Sequence, residues 1–262
     1  MFKVARKVRK RGGCFALFSH ISTLLFGRPR FINSCSTIDL KDAKISFAEN
    51  ISGLIQYLLP DCESIKFQKA LKLSEEMILP LLHGNVAYTN GWNSGLQLRK
   101  LIFILIILTK PSVVVETGTA NGASTLAICQ ALKVNELGQL WSFDILDSSA
   151  PLVPKELRKY VNFVKVNGSR ESVIGEIQKI SEIDSNSLFL HDGDHSYFGQ
   201  MADYEIAQLF NFQILVSDDI DASLAFVDFV KDDAIALLDT SKIIGASNLS
   251  LRVHESNNND AK

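Results

Sequence analysis

An apolar strand that runs into a glycine-bearing turn and then into a helix start constrains the fold of this chain more than any other sequence feature. The segment reads V-V-V-E-T-G-T-A-N-G-A-S-T and occupies residues 113–125. Gly118 and Gly122 permit a tight turn and let a ligand approach the backbone, above the amide groups of the following helix. The segment therefore predicts an α/β domain that binds a nucleotide-like ligand at the carboxyl end of this strand.

Two common phosphate-binding motifs are missing from this turn. The dinucleotide fingerprint G-x-G-x-x-G would need glycine at position 120, which is Ala120. The G-x-x-x-x-G-K-[ST] loop of nucleoside triphosphatases is absent as well. The turn therefore gives little support to an enzyme that transfers hydride with a dinucleotide.

Short apolar runs alternate with helix-length segments from residue 111 onward, which is typical of a parallel sheet with crossover helices. Strands are predicted at 112–116, 140–144, 161–166, 187–192 and 213–218, and apolar runs at 234–238 and 249–253 add two edge strands. Helices are predicted between them, at 123–133, 172–180, 200–210 and 222–230. We therefore predict a doubly wound, mostly parallel sheet of seven strands.

The rest of the chain divides into three further regions. Residues 1–38 form a basic, amphipathic extension, and residues 39–110 form a helical cap with helices at 51–59, 67–82 and 96–108. Residues 111–254 form the α/β domain. The polar residues 255–262 are expected to be a disordered tail.

Charge is distributed unevenly along the sequence. The net charge of −2 combines eight Lys/Arg and no Asp/Glu in residues 1–38 with 19 basic and 29 acidic residues in the remainder. An acidic body is a poor nucleic-acid binder. The expected partner is therefore a small molecule and not a nucleic acid.

The extension has two interpretations. Its apolar positions fall at helical spacing, so it forms either an amphipathic helix in peripheral contact with a membrane or partner, or a simple packing extension. Its apolar stretch is too short to cross a bilayer, and no cleavage site of a secretory signal follows it. The four cysteines form no C-x-x-C pair, so we expect reduced thiols in a cytoplasmic protein.

Acidic residues end several of the predicted strands. Asp144 ends its strand 22 residues beyond Gly122, where an acidic group meets ribose hydroxyls in βαβ domains. Asp192 and Asp218 end two strands whose carboxyl ends can converge, and Asp219 adds a third oxygen donor. Three carboxylates suit a hard cation, so we predict a magnesium site at Asp192, Asp218 and Asp219.

A hydroxyl held by such a cation would need a proton acceptor. Asp194 and His195 directly follow the Asp192 strand end, and either one is a candidate catalytic base. A histidine beside a strand end is also commonly a hydrogen-bonded structural residue. The choice between the two residues stays open on these grounds.

The chain resembles class I S-adenosylmethionine-dependent methyltransferases. Within them it is similar to bacterial small-molecule O-methyltransferases of the macrocin O-methyltransferase and cephalosporin hydroxylase-like type, the "methyltransferase domain 24" group. The resemblance rests on E-T-G-T-A-N-G-A-S-T at 116–125, S-F-D at 142–144, H-D-G-D-H-S-Y at 191–197 and S-D-D at 217–219. It covers about residues 86–250 and implies a Rossmann-like methyltransferase fold with S-adenosyl-L-methionine as the cofactor.

The resemblance also implies roles for single residues. Asp194, the second acid of the D-x-D unit, would be the base. Relatives often carry an acid beside the glycine at position 168, and this chain, with Asn167 and Ser169 there, does not. The implied cofactor-binding residues are Glu116, Gly118, Thr119, Asn121, Gly122, Ser124, Asp144, Ser169 and Asp192.

The implied activity is divalent-metal-dependent O-methylation of a small-molecule hydroxyl on a sugar, a phenol or a natural product. The tetrapeptide N-P-P-Y, expected of enzymes that methylate base amines of nucleic acids, does not occur. Two alternatives stay open: a nucleotide- or dinucleotide-dependent enzyme on the same fold, and a non-catalytic binding protein associated with a membrane or a partner. The acceptor and the formation of a homo-oligomer are also left open.

Overall fold

The computed structural model describes residue 40 and residues 45–79, 93–147, 150–181, 183–184, 186–230, 234–239 and 242–249. The predicted extension at 1–38 and the predicted tail at 255–262 lie outside these ranges. The strands within them are β1 (Ser46–Phe47), β2 (Val113–Thr117), β3 (Gln139–Asp144), β4 (Val161–Lys165), β5 (Leu188–His191), β6 (Ile214–Ser217), β7 (Ile235–Asp239) and β8 (Lys242–Asn248).

These strands form one sheet in the order β1-β7-β8-β6-β5-β2-β3-β4. Strand β8 runs antiparallel to both of its neighbours, and the other described strands pair in parallel. The predicted doubly wound, mostly parallel sheet is therefore confirmed. The sheet has eight strands where seven were predicted, because the two residues of β1 pair with β7 at the edge.

Helices cover both faces of the sheet. They are α1 (Ile51–Leu58), α2 (Ser64–Met77), α3 (Leu96–Thr109), α4 (Ala123–Asn135), α5 (Arg170–Ile177), α6 (Tyr197–Leu209) and α7 (Ala225–Val230), with a 3-10 helix at Lys155–Tyr160. One hydrophobic core lies between the sheet and α1–α4, and a second lies between the sheet and α5–α7. Strand β2 is buried along its whole length, as expected of a parallel strand covered on both faces.

The helices predicted as a cap contribute to the first of these cores. Helix α3 packs beside α4, and its six residues from Leu101 to Ile106 are fully buried. A helix that is apolar on all sides is expected to be buried in this way. The predicted boundary at residue 110 therefore does not separate two hydrophobic cores. None of the helices in the described ranges is long and apolar enough to cross a membrane.

Strand β8 brings its first residue to the carboxyl edge of the sheet. The sequence predicted the last strand at 249–253, but the strand described here is Lys242–Asn248. Because β8 is antiparallel to β6 and β7, its beginning lies beside their ends, with Lys242 opposite Asp239 and Gly245 opposite Ser217. A lysine is thus placed where the carboxyl ends of the parallel strands meet.

Candidate active site

The glycine turn after β2 fits closely against the loop after β5. Gly118 has a φ of 90°, and a Cβ atom at this position would overlap the backbone carbonyl of Asp192. Gly122 has a φ of 84° and begins α4, where a Cβ atom would lie 2.9 Å from side-chain atoms of Ala150 and Val153. Only glycine suits these two positions, because the backbone is left-handed and the space is filled.

Asp144 holds the glycine turn from the end of β3. Its Oδ2 atom accepts hydrogen bonds of 3.0 Å from the backbone N–H groups of Thr119 and Ala120, and its Oδ1 atom accepts one from Leu146 N–H. Ala120 adopts a φ of 42°, which is unusual for a residue with a Cβ atom. The predicted ribose-binding carboxylate therefore also fixes the conformation of the turn.

Glu116 is fully buried in a nest of hydroxyl groups. Its Oε2 atom accepts hydrogen bonds from Thr125 Oγ1 at 2.7 Å and Ser142 Oγ at 2.6 Å, and Ser142 also contacts the Thr119 hydroxyl at 2.7 Å. Within the described residues, Glu116 Oε1 has no hydrogen-bond partner. Burial raises the pKa of Glu116 to about 6, despite these hydrogen bonds.

Two further predicted residues connect the turn to its surroundings. The Asn121 side chain is buried and donates to Asn93 Oδ1 at 2.8 Å. Ser124, in the first turn of α4, donates to Asp192 Oδ2 at 3.2 Å. Ser124 therefore links the glycine turn to the acidic loop after β5.

Ser169 has a helix-capping role. It is the N-cap residue of α5, and its side chain accepts a hydrogen bond from Ser172 N–H at 3.2 Å. Its own N–H donates to Asn167 Oδ1 at 2.9 Å. The cap explains the serine at this position, and its predicted contact with the cofactor stays a prediction.

The loops after β5 and β6 bring the acidic residues to one edge, as predicted. Asp192 and Asp218 follow neighbouring strands, and Asp218 N–H donates to the His191 carbonyl at 2.9 Å. Asp218 is fully buried, and its Oδ1 atom has no hydrogen-bond partner within the described ranges. Burial raises the pKa of Asp218 to about 6, with the Asp219 carboxylate adding to the shift. Burial and the Asp218 carboxylate also raise the pKa of Asp192.

Lys242 lies between the carboxylates of Asp218 and Asp219. Its Nζ atom donates to Oδ2 of Asp218 at 3.1 Å and to Oδ2 of Asp219 at 3.0 Å. Burial lowers the pKa of Lys242, but the carboxylates of Asp218, Asp219 and Asp192 outweigh this effect and raise it above its ordinary value. The lysine is therefore protonated and is the counter-charge of the acidic cluster.

The predicted magnesium site at Asp192, Asp218 and Asp219 does not fit this arrangement. Among the described residues no group of three or more acidic, histidine or cysteine side chains is placed to hold a metal ion. The ammonium of Lys242 bonds to one oxygen each of Asp218 and Asp219, two of the three residues that the prediction assigned to the ion. The sequence prediction missed this because it placed the last strand seven residues too late and so left Lys242 out of the site.

The two candidate bases differ in their surroundings. Asp194 accepts hydrogen bonds from the N–H and the hydroxyl of Ser196, so its carboxylate shapes the turn into α6. His195 Nε2 lies 3.5 Å from Asp219 Oδ2. Burial lowers the pKa of His195 to about 3, although Asp219 opposes the shift, so the ring is neutral at neutral pH.

Helix α6 supplies residues that the sequence prediction did not include. Asp203 Oδ2 lies 2.6 Å from both His191 Nδ1 and Thr117 Oγ1. Gln200 donates to the Asp219 carbonyl at 3.0 Å and accepts from the Ser223 hydroxyl at 2.6 Å. Gln200 and Asp203 are three residues apart and so lie on the same face of α6. This spacing could have indicated a polar helix face directed at the sheet.

Comparison with known proteins shows what part of the chain is similar to. Residues 115–211 match the family described as a methyltransferase domain. The matched segment of this domain begins in β2 and ends after α6, and it contains Glu116, Gly118, Asp144 and the acidic loop after β5.

Solved methyltransferase structures are similar to this chain at low identity. The S-adenosylhomocysteine-bound methyltransferase PaMTH1 from Podospora anserina is 10% identical, with 78% of this chain and 97% of that chain covered and a TM-score of 0.46. The O-methyltransferase TomG from Streptomyces achromogenes, solved with S-adenosylmethionine, is 16% identical, with coverages of 76% and 96% and a TM-score of 0.45. A putative O-methyltransferase from Klebsiella pneumoniae is 17% identical, with coverages of 75% and 94% and a TM-score of 0.43. No curated protein matches the sequence.

The family match over residues 115–211 confirms the predicted methyltransferase class. The family match ends at residue 211, and the sheet continues beyond it through β6, β7 and β8. Asp218, Asp219 and Lys242 all lie in this unmatched part. The acceptor side of the site must therefore be interpreted from its own geometry.

Proposed function

We propose that this methyltransferase transfers the methyl group of S-adenosylmethionine to a hydroxyl oxygen of a small molecule. The observation that carries the proposal is the direct contact between the glycine turn and the acidic loop after β5. Gly118 lies against the Asp192 backbone, and Ser124 donates to the Asp192 carboxylate. A cofactor on the turn and an acceptor at the acidic cluster would therefore be neighbours, as a direct transfer requires.

The residues on the cofactor side fit S-adenosylmethionine. The absence of a side chain at Gly118 and Gly122 lets a ligand lie against the backbone at the start of α4. The ribose diol needs hydrogen-bond acceptors. A carboxylate has about four lone-pair sites. At Asp144, three backbone N–H groups occupy three of these sites and leave one for the ribose. Asp144 can therefore hold the turn and accept a ribose hydroxyl together. Glu116 adds negative charge below the turn, which suits the α-ammonium group of the cofactor.

S-adenosylmethionine bound at the glycine turn would supply the methyl group, with S-adenosylhomocysteine as the leaving group. The residues of this chain align the acceptor oxygen with that methyl group and receive the hydroxyl proton. We assign the proton acceptor role to His195, because its Nε2 atom lies 3.5 Å from Oδ2 of Asp219, whose carboxylate would stabilise the protonated ring. Asp194 has the separate role of fixing the turn from which His195 projects.

Methyl transfer to a panel of acceptors tests the proposal. Purified protein is incubated with S-adenosylmethionine carrying a deuterated methyl group and with phenols, sugars and aliphatic alcohols, and products are analysed by mass spectrometry. We expect an O-methylated product from at least one hydroxyl acceptor, with matched amines and thiols as controls. A label found only on amines or thiols would contradict O-methylation. Retention of NADH instead of S-adenosylmethionine would favour a dinucleotide-dependent enzyme.

A further inference from the structure

We propose that the ammonium of Lys242 takes the place of a divalent cation in this methyltransferase and binds the acceptor oxygen itself. The claim that Lys242 binds the acceptor oxygen rests on the proposed function. The claim that its ammonium replaces a divalent cation rests only on the structure of the chain. Lys242 is thus an acceptor-positioning residue. Its ammonium supplies a positive charge to two of the three carboxylates in the acidic cluster.

The topology of the sheet fixes Lys242 at this position. As the first residue of the antiparallel strand β8, it lies at the carboxyl edge, where Asp218 and Asp219 follow β6. Ile220 N–H donates to the Ile243 carbonyl at 3.0 Å and ties the loop after β6 to β8, directly beside the lysine. The contact between the ammonium and the carboxylates therefore follows from the backbone arrangement.

Both carboxylates are held in place to receive the ammonium. Asp218 is fully buried, so its charge needs a partner within the protein. Asp219 has a φ of 48°, and the buried side chain of Gln200 donates to its carbonyl at 3.0 Å, which fixes this strained residue. A residue held in a left-handed conformation by its surroundings is a feature that functional sites often show.

The ammonium and a divalent ion exclude each other at this site. Magnesium would need oxygens of the Asp218 and Asp219 carboxylates at about 2.0–2.1 Å. The Lys242 Nζ atom already lies 3.1 Å from Oδ2 of Asp218 and 3.0 Å from Oδ2 of Asp219. A metal ion on these oxygens would stand next to the ammonium, and two like charges at such a distance repel strongly.

Lys242 also has one N–H group left for the substrate that accepts the methyl group. An ammonium carries three N–H donors, and the bonds to Asp218 and Asp219 account for two of them. The Lys242 side chain is 26% exposed, in contrast to the fully buried Asp218. The third N–H can therefore reach a hydroxyl oxygen of a bound acceptor, where the positive charge would stabilise the alkoxide as the proton leaves.

Manganese binding distinguishes a site occupied by the Lys242 ammonium from a site that holds a divalent cation, without relying on methyl-transfer activity. We would measure it by electron paramagnetic resonance and calorimetry on the full chain, for the wild type, Lys242→Ala and Lys242→Arg. We expect the wild type and Lys242→Arg to bind manganese only weakly, and Lys242→Ala to bind it at least about tenfold more tightly because the carboxylates are freed. Lys179→Ala is the matched control, since it removes an exposed lysine paired with Glu176 and should not change binding.

Two results would overturn the inference. One is tight manganese or magnesium binding by the wild type that disappears in Asp218→Asn. The other is a folded Lys242→Ala variant that still binds manganese as weakly as the wild type. If Lys242→Ala does not fold, the comparison of wild type with Asp218→Asn still decides. Titration of S-adenosylhomocysteine in the same samples reports on the cofactor site, so failure of the proposed function is recognised separately.

Discussion

The Nζ atom of Lys242 lies 3.0 Å from Oδ2 of Asp219, an aspartate whose backbone is left-handed. The two residues are 23 positions apart in the chain and meet because β8 begins where β6 ends. In the proposed reaction this pair organises the acceptor side of the site. The glycine turn and Asp144 organise the cofactor side.

Replacement of Gly118 by alanine should remove cofactor binding and destabilise the fold. The new Cβ atom would overlap the Asp192 carbonyl, and the φ of 90° is strained for any residue with a side chain. We expect a loss of at least about 2 kcal/mol in the free energy of unfolding, measured by urea denaturation. Gly175→Ala is the matched control, because nothing lies within 4 Å of that Cβ position in α5. It should be neutral or stabilise the protein by about 0.5–1 kcal/mol.

The burial of Glu116 makes the stability of the fold depend on pH. Its folded-state pKa of about 6 lies above the ordinary value of 4.5, so the folded protein holds this proton more tightly than the unfolded chain. The resulting stabilisation is complete below pH 4.5 and is lost as the pH rises through 6. A shift of this size corresponds to about 2 kcal/mol.

Glu116→Gln tests this pH dependence. The glutamine has no proton to lose, so relative to the variant the wild type should become about 2 kcal/mol less stable between pH 4.5 and pH 7. Denaturation midpoints of both proteins across this pH range measure the difference in stability. The titration of Asp218 and Asp192 affects both proteins and largely cancels in that difference. Parallel stability profiles for the two proteins would show that Glu116 titrates normally.

The contacts of Asp203 predict a graded loss of stability. Asp203→Ala would leave the buried His191 Nδ1 and the Thr117 hydroxyl without this acceptor, at a cost of about 3 kcal/mol. Asp203→Asn can still present an oxygen to both groups and should recover most of the loss. Glu205→Ala, on the same helix, removes only an exposed ion pair with Arg170 and should change stability by less than about 0.5 kcal/mol. Equal effects of the alanine and asparagine variants would contradict the assignment.

The two candidate bases should respond differently to substitution. His195→Gln removes the proposed proton acceptor and should lower kcat by about 100-fold or more while S-adenosylhomocysteine affinity stays unchanged. Asp194→Asn keeps an oxygen for the N–H and hydroxyl of Ser196, so kcat should fall only slightly. The reverse order, with the larger loss of kcat in Asp194→Asn, would return the role to Asp194.

The parts of the fold that the sequence predicted have strong local signals. Strands β2 to β6 were placed to within about two residues because each is a short apolar run between a helix and a polar turn. Glu116, Gly118 and Asp144 were recognised because they lie at the ends of such runs. Their convergence follows from the parallel order of β2 and β3.

The parts that the sequence did not predict depend on long-range pairing. β1 has only two residues and is a strand because β7 lies beside it. The run K-I-I-G-A-S-N has no turn motif that fixes its register, so β8 and with it Lys242 were misplaced. Asp203 and Gln200 were missed because their partners His191 and Asp219 lie on other elements, 12 and 19 residues away.

Calorimetric titration of S-adenosylhomocysteine tests the central claim most directly. We predict micromolar binding by the wild type, weakened at least about tenfold in Asp144→Ala, which loses the acceptor of the turn and of the ribose. Asp147→Ala is the control, since Asp147 lies close by in sequence but only pairs with Lys165 on the surface. It should bind like the wild type. Absence of binding by the folded wild type, or equal binding by all three proteins, would contradict a cofactor site at the glycine turn.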